Sequence, residues 1–146
     1  MKRYKITTTS KKLLADTTTP VSIYLRLRDV YPNSLLLESS DYHSRENSLS
    51  YVCCEPIAGL VLNDGQLKKT YPDGSTETGT PGTFDLLDEI SKLLTHFEVA
   101  DTPSKILSNG LFGYFTHEAV EHFETIKLKE SAGDTRKIPV MQYHIY

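Results

Sequence analysis

The stretch that most constrains this chain is Leu60-Val61-Leu62, then Asn63-Asp64-Gly65, then Gln66-Leu67-Lys68. Asp-Gly tolerates the positive φ of a tight hairpin turn, so its two arms are expected to be antiparallel neighbours. Tyr71-Pro72-Asp73-Gly74-Ser75 is a second turn of the same kind. Residues 76–82 are polar and read as a loop. Because hairpin signals outnumber the long crossovers of parallel sheets, the chain is expected to be α+β with mainly antiparallel pairing.

The other elements fall around this centre. Arg3 to Thr8 alternates through Tyr4 and Ile6 like a first strand. Thr19-Pro20 combines a capping hydroxyl with proline at the first helical position, and Val21, Tyr24, Leu25 and Arg28 follow at helical spacing. Leu35-Leu36-Leu37 predicts a strand buried on both faces, or an apolar edge, with a second strand at Ser50 to Cys54. The strongest helix is expected after Thr83 as cap, with Phe84, Leu87, Ile90, Leu94 and Phe97 on its apolar stripe and Leu86 and Leu93 widening it. Gly110 to Phe115 reads as a strand whose glycines admit another backbone, and a short helix over Thr116 to Glu124 follows. The alternation from Ile138 to Tyr146 predicts a last strand; it stops mid-pattern, as in a chain cut from a longer one.

Composition narrows the function. At 146 residues, one core is the default. A net charge of -3 gives no electrostatic case for nucleic acid. Lys11-Lys12 and Lys68-Lys69 are isolated pairs expected to be solvated. No apolar run approaches the ~20 residues of a membrane span, and the N-terminus lacks a signal-peptide core, so a cytoplasmic chain is expected. The two cysteines, Cys53-Cys54, are adjacent. On a strand their side chains would diverge, which predicts buried free thiols and no disulfide.

His117-Glu118-Ala119-Val120-Glu121-His122 resembles a zinc-hydrolase helix but has the wrong spacing. Its histidines are five apart, about 140° from one another around an α-helix, where the motif needs four. Glu118 and His122 would instead form an i,i+4 pair. No phosphate loop, calcium loop or nucleophile elbow is present.

What remains is a rim. Leu35 to Leu37 run directly into Glu38 and Ser39, so an apolar strand ends in a carboxylate and a hydroxyl. A carboxylate accepts from an ammonium and a hydroxyl donates or accepts, which suits a small zwitterion. The plainer reading is a core strand running into a solvated loop.

Several motifs, in order, resemble the N-terminal region of anthranilate synthase component I. Thr19-Pro20-Val21 resembles that family's early helix, and Leu36-Leu37-Glu38-Ser39 its Leu-Leu-Glu-Ser motif. Ser50-Tyr51-Val52-Cys53, with Pro56 following, stands where the family has Ser-Phe-Ile-Gly. Gly110-Leu111-Phe112-Gly113-Tyr114-Phe115, with Glu118, Val120 and Glu124, resembles its later Gly-x-x-Gly-Tyr stretch. The resemblance implies packed, sandwich-like β-sheets flanked by helices. It implies a pocket for tryptophan, the feedback inhibitor, with Ser39 and Glu38 as contacts. Leu49 stands where some members place a lysine or tyrosine, with Ser50 beside it as a weaker candidate. It also implies that the catalytic residues, chorismate and Mg2+ belong to a C-terminal half absent here, so residues 1–146 would be a regulatory domain inactive alone and with apolar surface left uncovered. The intact protein would make anthranilate and pyruvate, using ammonia from a glutamine amidotransferase component II. Aminodeoxychorismate synthase and a stand-alone amino-acid-binding module are the alternatives.

Overall fold

The computed structural model describes residues 2–38, 49–79, 85–100, 109–127 and 138–146. The expected hairpin is its centre. Strand β4 (Ala58–Asn63) pairs antiparallel with β5 (Gln66–Thr70) across a turn in which Asp64 and Gly65 have φ of 47° and 71°. Both central residues therefore lie in the left-handed region that Asp-Gly tolerates best.

At the second turn, Asp73 accepts from the Ser75 N–H at 2.9 Å and its hydroxyl at 2.6 Å, while Gly74 takes a φ of 80°. The chain then returns as β6 (Thr76–Gly79) on the edge of the sheet, where a loop was expected. Its residues Thr76 to Thr78 are exposed, so no apolar alternation announces it; backbone pairing to β5 makes it a strand.

On the other side of β4 lies β9 (Met141–Ile145), and beyond it β8 (Phe112–Phe115), giving one antiparallel sheet in the order β6-β5-β4-β9-β8. Gly113 is needed there. A Cβ at this position would sit 1.9 Å from the Gln142 carbonyl oxygen, so the sequence reading of close backbone approach holds.

Register sorts this sheet into two faces, because directly opposed residues of an antiparallel pair project to the same side. Leu60, Leu62, Leu67, Met141 and Tyr143 share one face. Helix α2 (Leu86–Thr95) covers it with Leu86 and Leu93, forming the buried core with Tyr71. The expected stripe was rotated. Leu87 and Leu94 are exposed, while Leu86, Ile90, Leu93 and then Phe97 face the core. The helix is capped by Asp85, whose carboxylate accepts from Leu87 and Asp88 N–H groups, and not by Thr83, which lies outside the described residues. Phe97 has left the helix. It opens β7 (Phe97–Val99), which pairs in parallel with β1 (Tyr4–Ile6), the one parallel ladder among the described residues.

Lys69 corrects the solvated-pair reading. It alternates with Leu67 and Tyr71 on the α2 face, so it is buried while Lys68 is exposed. Its Nζ lies 2.7 Å from Glu89 Oε2 and 3.0 Å from Glu77 Oε2. Burial alone would lower its pKa, but these carboxylates raise it above the ordinary value.

The opposite face of the sheet carries Gly59, Phe112, Tyr114, Gln142 and His144. Over it lies a second layer made of α1 (Pro20–Leu27) and a two-stranded ladder, β2 (Leu35–Glu38) with β3 (Ser50–Cys53). Thr19 and Ser22 form a reciprocal capping box at α1. None of these three elements holds a fully buried residue. Leu35 to Leu37 are thus half-buried, not enclosed on both faces, because their ladder has only two strands. The architecture is α+β and mainly antiparallel, as expected.

The segment His117–His122 is a 3-10 helix, not an α-helix. At three residues per turn, both His117/His122 and Glu118/His122 are about 120° apart, so the expected shared face of Glu118 and His122 does not form. Cys53 and Cys54 are free and half-buried, less enclosed than expected, with burial raising the Cys53 pKa.

Candidate functional site

The β2–β3 ladder sets the geometry of the rim. Its register pairs Leu35 with Cys53, Leu36 with Val52, Leu37 with Tyr51 and Glu38 with Ser50. A carboxylate and a hydroxyl that are twelve positions apart in sequence therefore stand opposite one another at the ladder's open end. They share a face with Leu36 and Val52. The Tyr51 ring, on the other face, meets Phe112 of the main sheet at 5.4 Å, so that side is the one turned toward the sheet. Glu38, Leu49 and Ser50 are exposed, and Ser39 lies outside the described residues. Two of the four residues singled out from sequence are thus brought together as register partners. Such a pair can accept from an ammonium through Glu38 and bond a second polar atom through Ser50, beside an apolar strand.

A second concavity, of about 380 Å³, lies at the end of the α2 layer, lined by Lys2, Tyr4, Tyr71, Asp73, Ser75, Glu77 and His96. Its charges already serve one another. Lys2 Nζ is 2.7 Å from Asp73, and the Tyr71 hydroxyl donates to Glu77 at 2.9 Å. His96 Nδ1 lies 2.8 Å from the Lys2 carbonyl, which can only accept, so Nδ1 carries the proton. Lys2 and Ser75 hold the Asp73 carboxyl well below the usual range, and burial with Glu77 pushes Tyr71 up to about 12. These bonds fasten the β1–β7 ribbon to the β5–β6 turn. The cleft reads as a structural clasp.

Sequence reasoning missed the polar residues that join the two layers. The Asn33 Oδ1 accepts from Gln142 Nε2 at 3.1 Å, and the Tyr146 hydroxyl donates to the Asn33 carbonyl. Asn33 itself has φ of 62°. The Pro32-Asn33 pair before an apolar run was a turn signal, and asparagine tolerates this backbone. Gln142 and His144 could be placed by the alternation of β9, but nothing local showed that their face was covered.

Among the described residues there is no group of three or more His, Cys, Asp or Glu side chains placed to hold a metal ion. No helix among them is long and apolar enough to cross a membrane.

Fold and rim together describe an α+β domain with a polar edge, Glu38 opposite Ser50, at the end of a small ladder beside a larger sheet. Comparison with known proteins gives this class a particular context. No family model matches the chain. Anthranilate synthase component 1 of Mycolicibacterium smegmatis is 30% identical over 140 residues, covering 94% of this chain and 26% of that protein. The protein of the same name from Mycobacterium tuberculosis is 28% identical over 142 residues, 94% of this chain and 27% of its own length. That of Lactococcus lactis is 29% identical over 139 residues, 93% and 28% respectively. The resemblance drawn from the motifs therefore holds over nearly the whole chain, which spans about a quarter of the length of these relatives.

Proposed function

We propose that this chain is the N-terminal, tryptophan-sensing part of an anthranilate synthase component I, with its ligand rim at Glu38, Ser39, Leu49 and Ser50. The observation that carries the reading is similarity to proteins of that name over 94% of the chain; Leu36, Leu37 and Glu38 of the Leu-Leu-Glu-Ser motif lie in β2. In this reading Glu38 holds the ligand ammonium and Ser39 or Ser50 a second polar atom, while neighbouring apolar residues pack the indole. Leu49 offers only apolar contact.

The reaction itself, chorismate and ammonia to anthranilate and pyruvate, belongs to residues beyond this chain, as does the Mg2+ it uses. Among the described residues no group of three or more His, Cys, Asp or Glu side chains is placed to hold that ion. Component II would supply ammonia from glutamine, and the chain alone would be inactive. The exposed apolar residues of α1, Val21, Ile23 and Leu25, fit a domain that is covered in a larger protein.

The test is an inhibition curve on the full-length enzyme. Ser39→Ala removes one hydrogen bond to a charged group, about 1.5–3 kcal/mol, and should weaken tryptophan inhibition about ten- to a hundredfold. Ser39→Phe should weaken it further by filling the rim. Both should leave uninhibited turnover nearly intact. Wild-type sensitivity in both variants would remove Ser39 from the ligand site.

A further inference from the structure

The face of the main sheet that lies under β2 and β3 holds a buried histidine in a chain of hydrogen bonds with a definite direction. His144 is only 7% exposed. It stands opposite Gly59 on β4 and Phe112 on β8, and a Cβ at position 59 would lie 2.4 Å from its Nδ1. One ring nitrogen bonds the Ala58 backbone and the other, Nε2, lies 2.8 Å from Gln142 Nε2. The Ala58 bond favours the protonated ring, so the acceptor there is the carbonyl and Nδ1–H is the donor. In the neutral ring Nε2 must then accept, and the Gln142 NH2 is the donor it meets.

That orientation of Gln142 determines everything beyond it. Its Nε2 also donates to Asn33 Oδ1 at 3.1 Å, and its Oε1 accepts from the Tyr114 hydroxyl at 3.4 Å. Asn33 is the residue from which the chain enters β2. The polar joint between the layers therefore depends on a bare lone pair at His144 Nε2. A proton placed there sets N–H against N–H. Turning the Gln142 amide relieves that clash but brings Oε1 against Asn33 Oδ1, so the joint re-forms only when the exposed Asn33 amide turns as well.

We infer that His144, Gln142 and Asn33 form a proton-sensitive joint that docks the β2–β3 ladder on the main sheet while the ring is neutral and releases it when the ring is protonated. The joint does not depend on what the rim binds. Where the rim binds tryptophan, the joint would make that binding pH-dependent.

The surroundings support a single titrating group. The titratable side chains near the ring are Tyr146, which directly follows β9, 5.8 Å away, and Tyr114 across Gln142, with Tyr24 of α1, Cys53 and Cys54 close to Tyr146. Burial raises the pKa of Tyr146 and of Cys53 above their ordinary values, so both stay neutral between pH 5 and 7.5. Lys68 on β5 shares this face but is exposed. Burial lowers the pKa of His144 from its ordinary 6.5, with the Ala58 carbonyl opposing. The docked state is thus favoured fully above pH 6.5, and its advantage is lost as pH falls through the depressed value.

Two measurements on the 146-residue chain, without ligand, test this. Long-range nitrogen–proton NMR of the imidazoles at pH 7.5 should find His144 neutral with its proton on Nδ1; a proton on Nε2 overturns the joint. Amide exchange, corrected for intrinsic rate, should show the cross-strand-bonded amides of β2 and β3, which alternate along the ladder, losing protection several-fold at pH 5 relative to pH 7.5, while Leu60, Leu62 and Leu67 keep theirs. His144→Gln should abolish that pH dependence. Asn33→Gly, which keeps the positive φ but removes the amide, should give the low protection at both pH values. Equal protection of the ladder at the two pH values, a pH effect unchanged in His144→Gln, or parallel loss in the core strands would each refute the proposal. None of these results bears on tryptophan inhibition, so the two readings can fail separately.

Discussion

The two faces of the main sheet are covered in different ways. On one, α2 sets Leu86 and Leu93 against Leu60, Leu62 and Met141, all fully or almost fully buried. On the other, β2, β3 and α1 bury no residue completely and meet the sheet through Asn33, Tyr51 and Tyr146. The first is cemented by apolar area, which is non-directional and insensitive to pH. The second is held by a few oriented contacts, which a small change in charge or a bound ligand can shift. Segments with few buried contacts are where local opening costs least, and the candidate rim sits on such a segment.

Core truncation should separate the two sides most sharply. Leu62→Ala, at a position with 0% exposure, should lower stability by about 3–5 kcal/mol in urea unfolding. Leu36→Ala in the half-buried ladder should cost about 1 kcal/mol. Equal costs would abolish the distinction.

Next in size is the ion pair under α2. Lys69→Ala leaves Glu89, with 15% of its side chain exposed, without its principal cation and should cost about 3 kcal/mol, read as a lowered Tm. A loss of only a few tenths would mean that Lys92, 2.9 Å from the other Glu89 oxygen, is sufficient.

The helix caps give the smallest test. Asp85→Ala and Thr19→Ala each remove a capping acceptor worth about 1 kcal/mol locally. Only the α2 change should register fully in global unfolding, because α2 belongs to the core. The α1 change should appear chiefly as faster amide exchange in residues 20–27. Full transmission of both would make the layers one cooperative unit.

What could be read from the sequence followed the reach of each signal. Asp64-Gly65 fixed its hairpin because the turn requirement is local. Gly113 was readable as a close approach, though not which strand approaches. The edge strand β6 was not legible, since a polar strand exposed on both faces has no alternation. For α2, the sets containing Leu87 and Leu94 or Leu86 and Leu93 both suit a helix, and only the position of the sheet chooses between them. Lys69 could have been found by extending the alternation from Leu67 to Tyr71. At the rim, Glu38 and Ser50 were each singled out, but their opposition depends on the β2–β3 register. The joint at His144 was invisible because its members, Asn33, Gln142 and His144, are brought together only by tertiary contact.

The position of β9 carries a consequence for how this domain comes into being. Ala58 pairs with Ile145 and Leu62 with Met141, so the central partner of β4 is translated long after β4 itself. Until residues 141–145 leave the ribosome, β4 has only β5 beside it and β8 has no neighbour in the sheet. Leu60 and Leu62 must wait on a nascent chain without the Met141 contact that later encloses them. Pairings this distant in sequence are slow to form and leave apolar strands open to unwanted association meanwhile. Translation arrested before Val140 should therefore yield a chain dependent on chaperones, although it contains α1, α2 and eight of the nine strands found among the described residues.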